Sequence, residues 1–565
     1  MILQTSSSSG FRRFEIMAQQ GMSVQMAGQY GGQPVYIISP TTEHIQGKDA
    51  LSMNINAAKA VAKLVRSTLG PKGMDKMLVN ILGDIVLTND GATILREMEI
   101  EHPTAKMIVE VAKTQEDIAG DGTTSAVVIA GSLMDKAGEL LEKGFHPAVI
   151  FKGYNLAAQK AIEILEEFAT NVDKDDRKTL EKIAETSITG KATETSSDHL
   201  AKICVDAVLA IEENGKYNID DRIVFRKEAG GKISDTKVIH GIYINKYRLH
   251  PNTPAKVENA KIALLDMPIE IAKTTTKSKI QLGSIDEMFA YKDQETANFH
   301  KMLDKVIATG ANVVFSSKNI DDSAVHYFMK HNIYTCRRLK DEDMTVLSLS
   351  TGANLVRNMN DITAKDLGYA EVVEQESEYE EKTLITGFKK SNTVTIFIKA
   401  GSEHLADNIE RAFDDALNVV KSVLEDRTIV PGGGASEMQV ANGLRSYAST
   451  IDGREQLAIR AFADAMEEIP KAIAENAGLD KIDMLSQLRA ESGKNKNSGI
   501  NVCSGKIEDM MENSVIDPLR VKIQAIKSAS EVSSMILRVD DMLRAQEKDM
   551  QDVDPAHNIH NYNMG

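Results

Sequence analysis

Gly120-Asp121-Gly122-Thr123-Thr124-Ser125 puts two glycines, one carboxylate and three hydroxyls into a single loop, which runs directly into an apolar helix start, Ala126-Val127-Val128-Ile129-Ala130. Glycines let the backbone approach a ligand closely, and a fresh helix N-terminus offers unpaired N–H groups to an anion. Asp121 is suited to a divalent cation that bridges phosphate oxygens. The loop therefore reads as a seat for a nucleotide's phosphates, while a plain helix cap by Asp121 or Thr123 fits the same residues. A second carboxylate, Asp90, stands in Thr88-Asn89-Asp90-Gly91-Ala92-Thr93. Read from residue types alone, Asp90-Gly91 is the tight turn of a hairpin between Asp84–Thr88 and Ala92–Leu95. No Gly-x-x-x-x-Gly-Lys-Ser/Thr run occurs, so a phosphate seat here is not a P-loop.

The elements that must position these residues follow from periodicity. Ala57, Val61, Leu64, Val65 and Thr68 share one helical face, and that helix stops at Gly70-Pro71. Helical patterns fill Ala105–Ala119, Thr123–Lys143 and Ala148–Ala169. In the middle of the chain, strand-like Lys237–Ile244, Ala260–Asp266, Asn312–Ser316 and Asn332–Arg337 alternate with helical Asp293–Ala308 and Asp321–Lys330, as in an α/β unit. After Val394–Ile398 the pattern turns helical again, through Glu403–Glu425, Ile451–Asn476 and Pro518–Glu547. The expectation is a helical domain made from both chain ends, with an α/β domain inserted between them. Asp414 and Asp415 both fall opposite the apolar face of Ile409, Phe413, Ala416 and Val420, and the spacing does not choose between them.

A chain of 565 residues exceeds one core and suits three to four domains. With 66 basic against 82 acidic residues the net charge is -16, which argues against a general nucleic-acid binder. Three scattered cysteines, Cys204, Cys336 and Cys503, without CxxC spacing imply neither a disulfide framework nor a zinc site, and point to a reducing compartment. No apolar run reaches the ~18 residues of a membrane span, so no membrane partner is expected. Residues 1–35 read as a disordered extension, with Met17 and Met22 as alternative starts, and 547–565 as a disordered tail.

Five motifs in series carry a resemblance. Leu69-Gly70-Pro71-Lys72-Gly73-Met74-Asp75-Lys76-Met77, Thr88–Thr93, Gly120–Thr124, Val430-Pro431-Gly432-Gly433-Gly434-Ala435 and Asp517-Pro518-Leu519-Arg520-Val521-Lys522 together resemble the group II chaperonins, nearest the archaeal thermosome type. The resemblance implies a multidomain α and α/β chaperonin fold. Its expected parts are an equatorial ATPase domain (36–175 and 434–546), an intermediate hinge domain (176–246 and 398–433) and an apical domain (247–397) with a lid protrusion at about 271–297. It also implies a cytoplasmic ATP hydrolase that folds non-native polypeptides in a double ring of itself or of paralogous subunits.

The same resemblance implies a role for each site residue. Asp90 and Asp415 activate the attacking water, Asp121 holds Mg2+, and Lys191 senses the γ-phosphate. ATP contacts are expected from Leu69, Gly70, Pro71, Asn89, Gly91, Gly122, Thr123, Thr124, Ser125, Gly433 and Gly434. Asn476, Ala477 and Asp480 are expected around the purine, and Asp517 at the ribose. Ile280, Leu282, Ile285, Met288 and Phe289 are expected in the lid, and Val325, Phe328 and Met329 at the cavity mouth facing clients. Two departures stand out: Lys399-Ala400-Gly401-Ser402 replaces the usual Arg-Gly-Gly-Thr, and the tail lacks Gly-Gly-Met repeats. A small-molecule kinase and a non-hydrolysing holding subunit are the competing classes. The missing P-loop speaks against the first, and the set Asp90, Asp121, Asp415 and Lys191 against the second.

Overall fold

The computed structural model describes residues 26–545, apart from 31–32, 37–41, 80–82, 84, 192–195, 272–284, 376–381 and 390–392. Residues 1–25, the expected tail 547–565 and the first part of the expected lid, including Ile280 and Leu282, lie outside the described residues. The last part of the extension expected to be disordered is paired instead: Met26–Tyr30 pairs antiparallel with Gln33–Tyr36, because main-chain hydrogen bonding across a hairpin satisfies both strands.

Helices from both ends of the chain share one core. The helix Thr123–Glu142 is buried on nearly every side and lies at its centre, as expected of a helix apolar all round. Around it pack Gly47–Arg66, Pro103–Ala119, Pro147–Phe168, Glu455–Met466 and Leu519–Ile536. On Gly47–Arg66 the inward residues are Ala58, Val61, Ala62 and Val65, whereas Leu64 is exposed. Leu64 was expected inside; the small residues Ala58 and Ala62 take that face because Gly131 of the central helix comes against Ala62. The helical pattern expected over Ile451–Asn476 is two abutting helices, Glu455–Met466 and Glu468–Asn476, which meet at Glu467, a buried carboxylate clamped by Arg445 and Arg489. One expectation fails near the C-terminus. The last helix ends at Ile536, and Asp541–Ala545 is a strand that pairs antiparallel with Thr42–Gln46, tying the two chain ends together.

A second core forms from the helices Arg177–Ile188, Ser197–Ala210 and Glu403–Asp426 on a small sheet of Ile223–Ala229, Val394–Ala400 and Lys237–His240. Glu403–Asp426 is strongly amphipathic, with Ile409, Phe413, Ala416, Leu417 and Val420 inward. The expected strand Lys237–Ile244 divides at Gly241, whose φ of 152° carries the backbone from one sheet to another. Lys237–His240 pairs with Val394–Thr395 and beyond, while Ile242–Ile244 joins the sheet of the inserted domain.

That inserted domain holds a mixed sheet centred on Lys256–Leu265, which runs parallel to Val313–Ser316 and antiparallel to Gly368–Gln375. Ile262 and Leu264 feed the core on one face and Ala263 and Leu265 the core on the other, as strand alternation requires. The helices Ile285–Ala308 and Asp322–Lys330 cover one face, Asp341–Thr351 the other. Val325 and Phe328 were expected to face clients. They are buried instead, because the apolar face of this short helix closes onto the sheet. Its outer side carries His326, Lys330 and the half-buried Tyr327. Ile285, Met288 and Phe289 fall in the first turns of Ile285–Ala308, where Phe289 is 57% exposed. Among the described residues no helix is long and apolar enough to cross a membrane.

Candidate functional site

Where the helical core meets the second core lies a cavity of about 390 Å³. Leu69, Gly70, Pro71, Asn89, Asp90, Asp121, Gly122, Thr123, Thr124, Ser125, Lys191, Gly433, Gly434 and Asp517 all line it. Segments far apart in sequence are thus brought to one place by the packing of four helix starts and two loops.

Asp90 is not in a hairpin turn. The hairpin is formed by Lys76–Val79 with Ile85–Thr88, and Gly91–Glu97 is helical. Asp90 caps that helix, accepting the Ala92 N–H at 3.3 Å and the Thr93 N–H at 2.7 Å. Capping won over turn formation because the short side chain satisfies two orphan donors at once. Thr123 adds a third donor, its hydroxyl 2.8 Å from Asp90 Oδ1, so the carboxylate is fixed in direction. Gly91 lies behind it, buried against Thr124 with no room for a Cβ.

Asp121 does not cap its helix. Gly122 is the N-cap residue, in the left-handed region at φ 78°, and makes no side-chain cap bond. The Asp121 carboxylate instead receives the Gly122 N–H at 2.7 Å, the Ser187 hydroxyl at 2.8 Å and the Lys191 ammonium at 2.7 Å. Burial opposes its charge, yet Lys191, Ser187 and the Gly122 amide together hold the carboxyl below the usual carboxylate range. Its carbonyl is held by Gln115, whose amide also reaches the Val521 carbonyl.

Lys191 comes from the second core and spans to the first. Its ammonium lies 2.8 Å from Asp415 Oδ2 as well as 2.7 Å from Asp121 Oδ1. Burial would lower the ammonium's pKa, but the two carboxylates raise it, so Lys191 stays charged. Asp415 is the inward member of the pair that periodicity left undecided; Asp414 is exposed. Burial pushes the Asp415 carboxyl well up, with Lys191 opposing and Asp121 and Asp90 adding to the rise. A raised carboxyl is the kind that can take up a proton near neutral pH.

Further contacts close the seam between the two cores. The Asn89 amide donates to the Gly190 carbonyl, and Arg411 donates to the Leu87 carbonyl at 3.0 Å. Gly190 has φ 86°, and a Cβ there would come within 2.8 Å of the Pro71 backbone.

Five expected residues lie outside the cavity lining: Gly91, behind Asp90; Asp415, which reaches the site only through Lys191; and Asn476, Ala477 and Asp480. Asn476 turns its amide to the Arg66 and Leu69 carbonyls, at 3.0 and 2.8 Å, and so braces the Leu69-Gly70-Pro71 loop from behind. Asp480 caps the helix Lys481–Ser492 through the Ile482 and Asp483 N–H groups. Ala477 ends the preceding helix. Sequence reasoning missed Gln115, Ser187, Arg411, Glu437 and Lys522. Each looks like an ordinary helix residue until another element is packed against it; of the five only Lys522 carries a signal, as the last residue of the Asp517–Lys522 motif.

Asp121 and Asp415 flank the ammonium of Lys191, and Asp90 adds a third carboxylate nearby, so this group as a whole is acidic. A polyphosphate fits beside such a cluster when a divalent cation accompanies it. Among the described residues no three His, Cys, Asp or Glu side chains gather to hold a metal by themselves. That donor set fits Mg2+, which takes one or two carboxylates and draws its remaining oxygens from phosphates and water.

Residues 61–547 match the TCP-1/cpn60 chaperonin family. The thermosome subunit of Methanopyrus kandleri is 51% identical over 521 residues, covering 91% of this chain and 96% of that one. A thermosome subunit of Pyrococcus abyssi is 51% identical over 523 residues, 92% of this chain and 95% of that one. Thermosome subunit beta of Thermococcus kodakarensis is 50% identical over 530 residues, 93% and 97% of the two chains. Among solved structures, the open-state monomer of a group II chaperonin from Methanococcoides burtonii aligns with a TM-score of 0.60 at 45% identity, over 74% of this chain and 100% of that one.

Proposed function

Because this chain belongs to the TCP-1/cpn60 chaperonin family, we propose that the cavity between its two helical cores is its ATP-hydrolysing site and that closure of the seam switches it on. The protein is an ATP-dependent chaperone of the double-ring kind and an ATP hydrolase. Its clients are non-native polypeptides, and its ring partners are further copies of itself or paralogous subunits. Three free cysteines, two of them buried, support a cytoplasmic setting.

The carrying observation is the bridge made by Lys191 between Asp121 on one core and Asp415 on the other. In this reading the Gly122–Ser125 amides and hydroxyls receive the phosphates at the helix start. Asp121 would hold Mg2+, which when bound neutralises phosphate charge. Asp90, aimed by Ala92, Thr93 and Thr123, orients the attacking water. Asp415, its affinity for protons raised by burial, takes the proton as the water oxygen bonds to the γ-phosphorus and the bond to the β-phosphate oxygen breaks. A placed base of this kind is worth about two to four powers of ten in rate. Since Asp415 rides on the second core, hydrolysis waits for the seam to close. The helical core, the second core and the inserted domain correspond in this reading to the equatorial, intermediate and apical domains, the chain passing from the second to the third at Gly241.

Refolding of a denatured client with and without MgATP tests the reading. Recovery that requires hydrolysable ATP is expected, and equal recovery with a non-hydrolysable analogue alone would contradict the coupling. Native mass spectrometry of the same sample gives the ring size and subunit mixture.

A further inference from the structure

A second ionic group lines the same cavity, and the roles above leave part of it unused. Lys522 Nζ lies 2.7 Å from Glu437 Oε1 and 2.8 Å from Asp517 Oδ2. Glu437 belongs to the first turn of the helix Ala435–Ala448, Lys522 to the first turn of Leu519–Ile536, and Asp517 to the short strand Ile516–Pro518 that pairs with Thr428–Pro431. Glu437 is only 2% exposed, and its Oε2 has no hydrogen-bond partner among the described residues. Taking three ions out of water is costly, and apolar residues would pack such a spot more cheaply. A polar chain kept under those conditions calls for a use.

Lys522 occupies Asp517 Oδ2 and leaves Oδ1 without a protein partner among the described residues, on a side chain that lines the cavity. An ionised carboxylate only accepts, so the complementary ligand group is a donor, such as a sugar hydroxyl. The ammonium is outweighed by two carboxylates, so this end of the cavity does not attract phosphate. A carboxylate on a short side chain hydrogen-bonds selectively only if its direction is fixed. Here the direction comes from Lys522, and the direction of Lys522 comes from Glu437.

We propose that Lys522, anchored by Glu437, is a positioning residue that aims Asp517 at the ribose hydroxyls, and that this ionic chain makes the site prefer ribonucleotides over deoxyribonucleotides. The inference rests on the reading of the cavity as the ATP site.

The test is equilibrium binding of ATP, 2′-deoxyATP and 3′-deoxyATP with Mg2+ to the assembled protein, for the wild type and for Lys522→Met. The wild type should bind ATP about tenfold or more tightly than the weaker of the two deoxy analogues, the scale of a hydrogen bond to a charged group. Lys522→Met should reduce that preference to within about twofold, losing more affinity for ATP than for the analogue. The double variant Glu437→Gln, Lys522→Met removes one of the two carboxylates left facing each other, and should show the same reduced preference if the single variant does not fold. Equal weakening for all three nucleotides, the mark of a phosphate contact or of general loosening, would overturn the inference. So would an unaltered preference, or a wild type that does not discriminate. Wild-type protein that binds no nucleotide at all would overturn the reading of the cavity itself, which the other outcomes leave standing.

Discussion

Lys191 Nζ lies 2.8 Å from Asp415 Oδ2, joining a loop after the helix Arg177–Ile188 to the middle of the helix Glu403–Asp426. The same ammonium reaches Asp121 across the seam, so one cation ties the Gly120–Ser125 loop to Asp415, and withdrawing the second core would take Lys191 and Asp415 away from Asp121 together.

Asp90 has two duties in the structure, a helix cap and a cavity carboxylate, and two substitutions separate them. Asp90→Asn keeps a capping side chain, whereas Asp90→Ala also loses the cap, at a cost of about 1 kcal/mol. Both should lower the hydrolysis rate by about two to four powers of ten while ATP still binds, and only the alanine should lower the melting temperature. Steady-state ATPase and thermal unfolding decide it. Near-normal turnover in Asp90→Asn would leave Asp90 as a cap alone.

Gly190 stands where the seam closes against Pro71. Gly190→Ala puts a methyl group against the Pro71 backbone and strains a residue at positive φ by about 1–2 kcal/mol. ATP affinity should remain within a few-fold of wild type, while hydrolysis falls by about tenfold or more. A variant that hydrolyses normally would show that the seam need not close this tightly.

The helical core, the inserted α/β unit and the glycine loop running into the central helix were all legible in the sequence, because periodicity and glycine placement are local signals. What was not legible came from packing between distant segments. Leu64 lost its inward place to Ala58 and Ala62 because a glycine of the central helix approaches there. Val325 and Phe328 turned inward because their helix covers a sheet that the local pattern does not reveal. Asp415 could not be told from Asp414 by spacing, since the element that buries it, the Lys191 loop, lies more than two hundred residues away in the chain. Asp480 and Asn476 were chosen by family resemblance, and in the structure their polar groups serve a cap and a loop brace.

Asp121→Asn keeps the shape of the loop but removes the charge that would hold a cation. Mg2+-dependent ATP affinity and rate should both fall, and the gain in ATP affinity on adding Mg2+ should shrink. Titrating ATP with and without Mg2+ measures this, and an unchanged Mg2+ effect would remove Asp121 from the metal site.

The lid assignment has its own test. Phe289 is 57% exposed at the start of a long helix, a costly placement for a side chain whose full burial is worth about 1.5–3 kcal/mol. Deleting residues 276–291 should leave ATPase activity and ring assembly in place but expose a trapped client to protease in ATP with a transition-state phosphate mimic. Full protection after the deletion would return this stretch to an internal packing role.

The claim that closure delivers a second carboxylate to the nucleotide is tested most directly by single-turnover hydrolysis in Asp415→Asn, with ATP binding measured on the same sample. The substitution keeps the side chain's size and removes only its capacity to take a proton. The account predicts a hydrolysis rate lower by about two to four powers of ten with an ATP dissociation constant within a few-fold of wild type. A single-turnover rate close to wild type would contradict it.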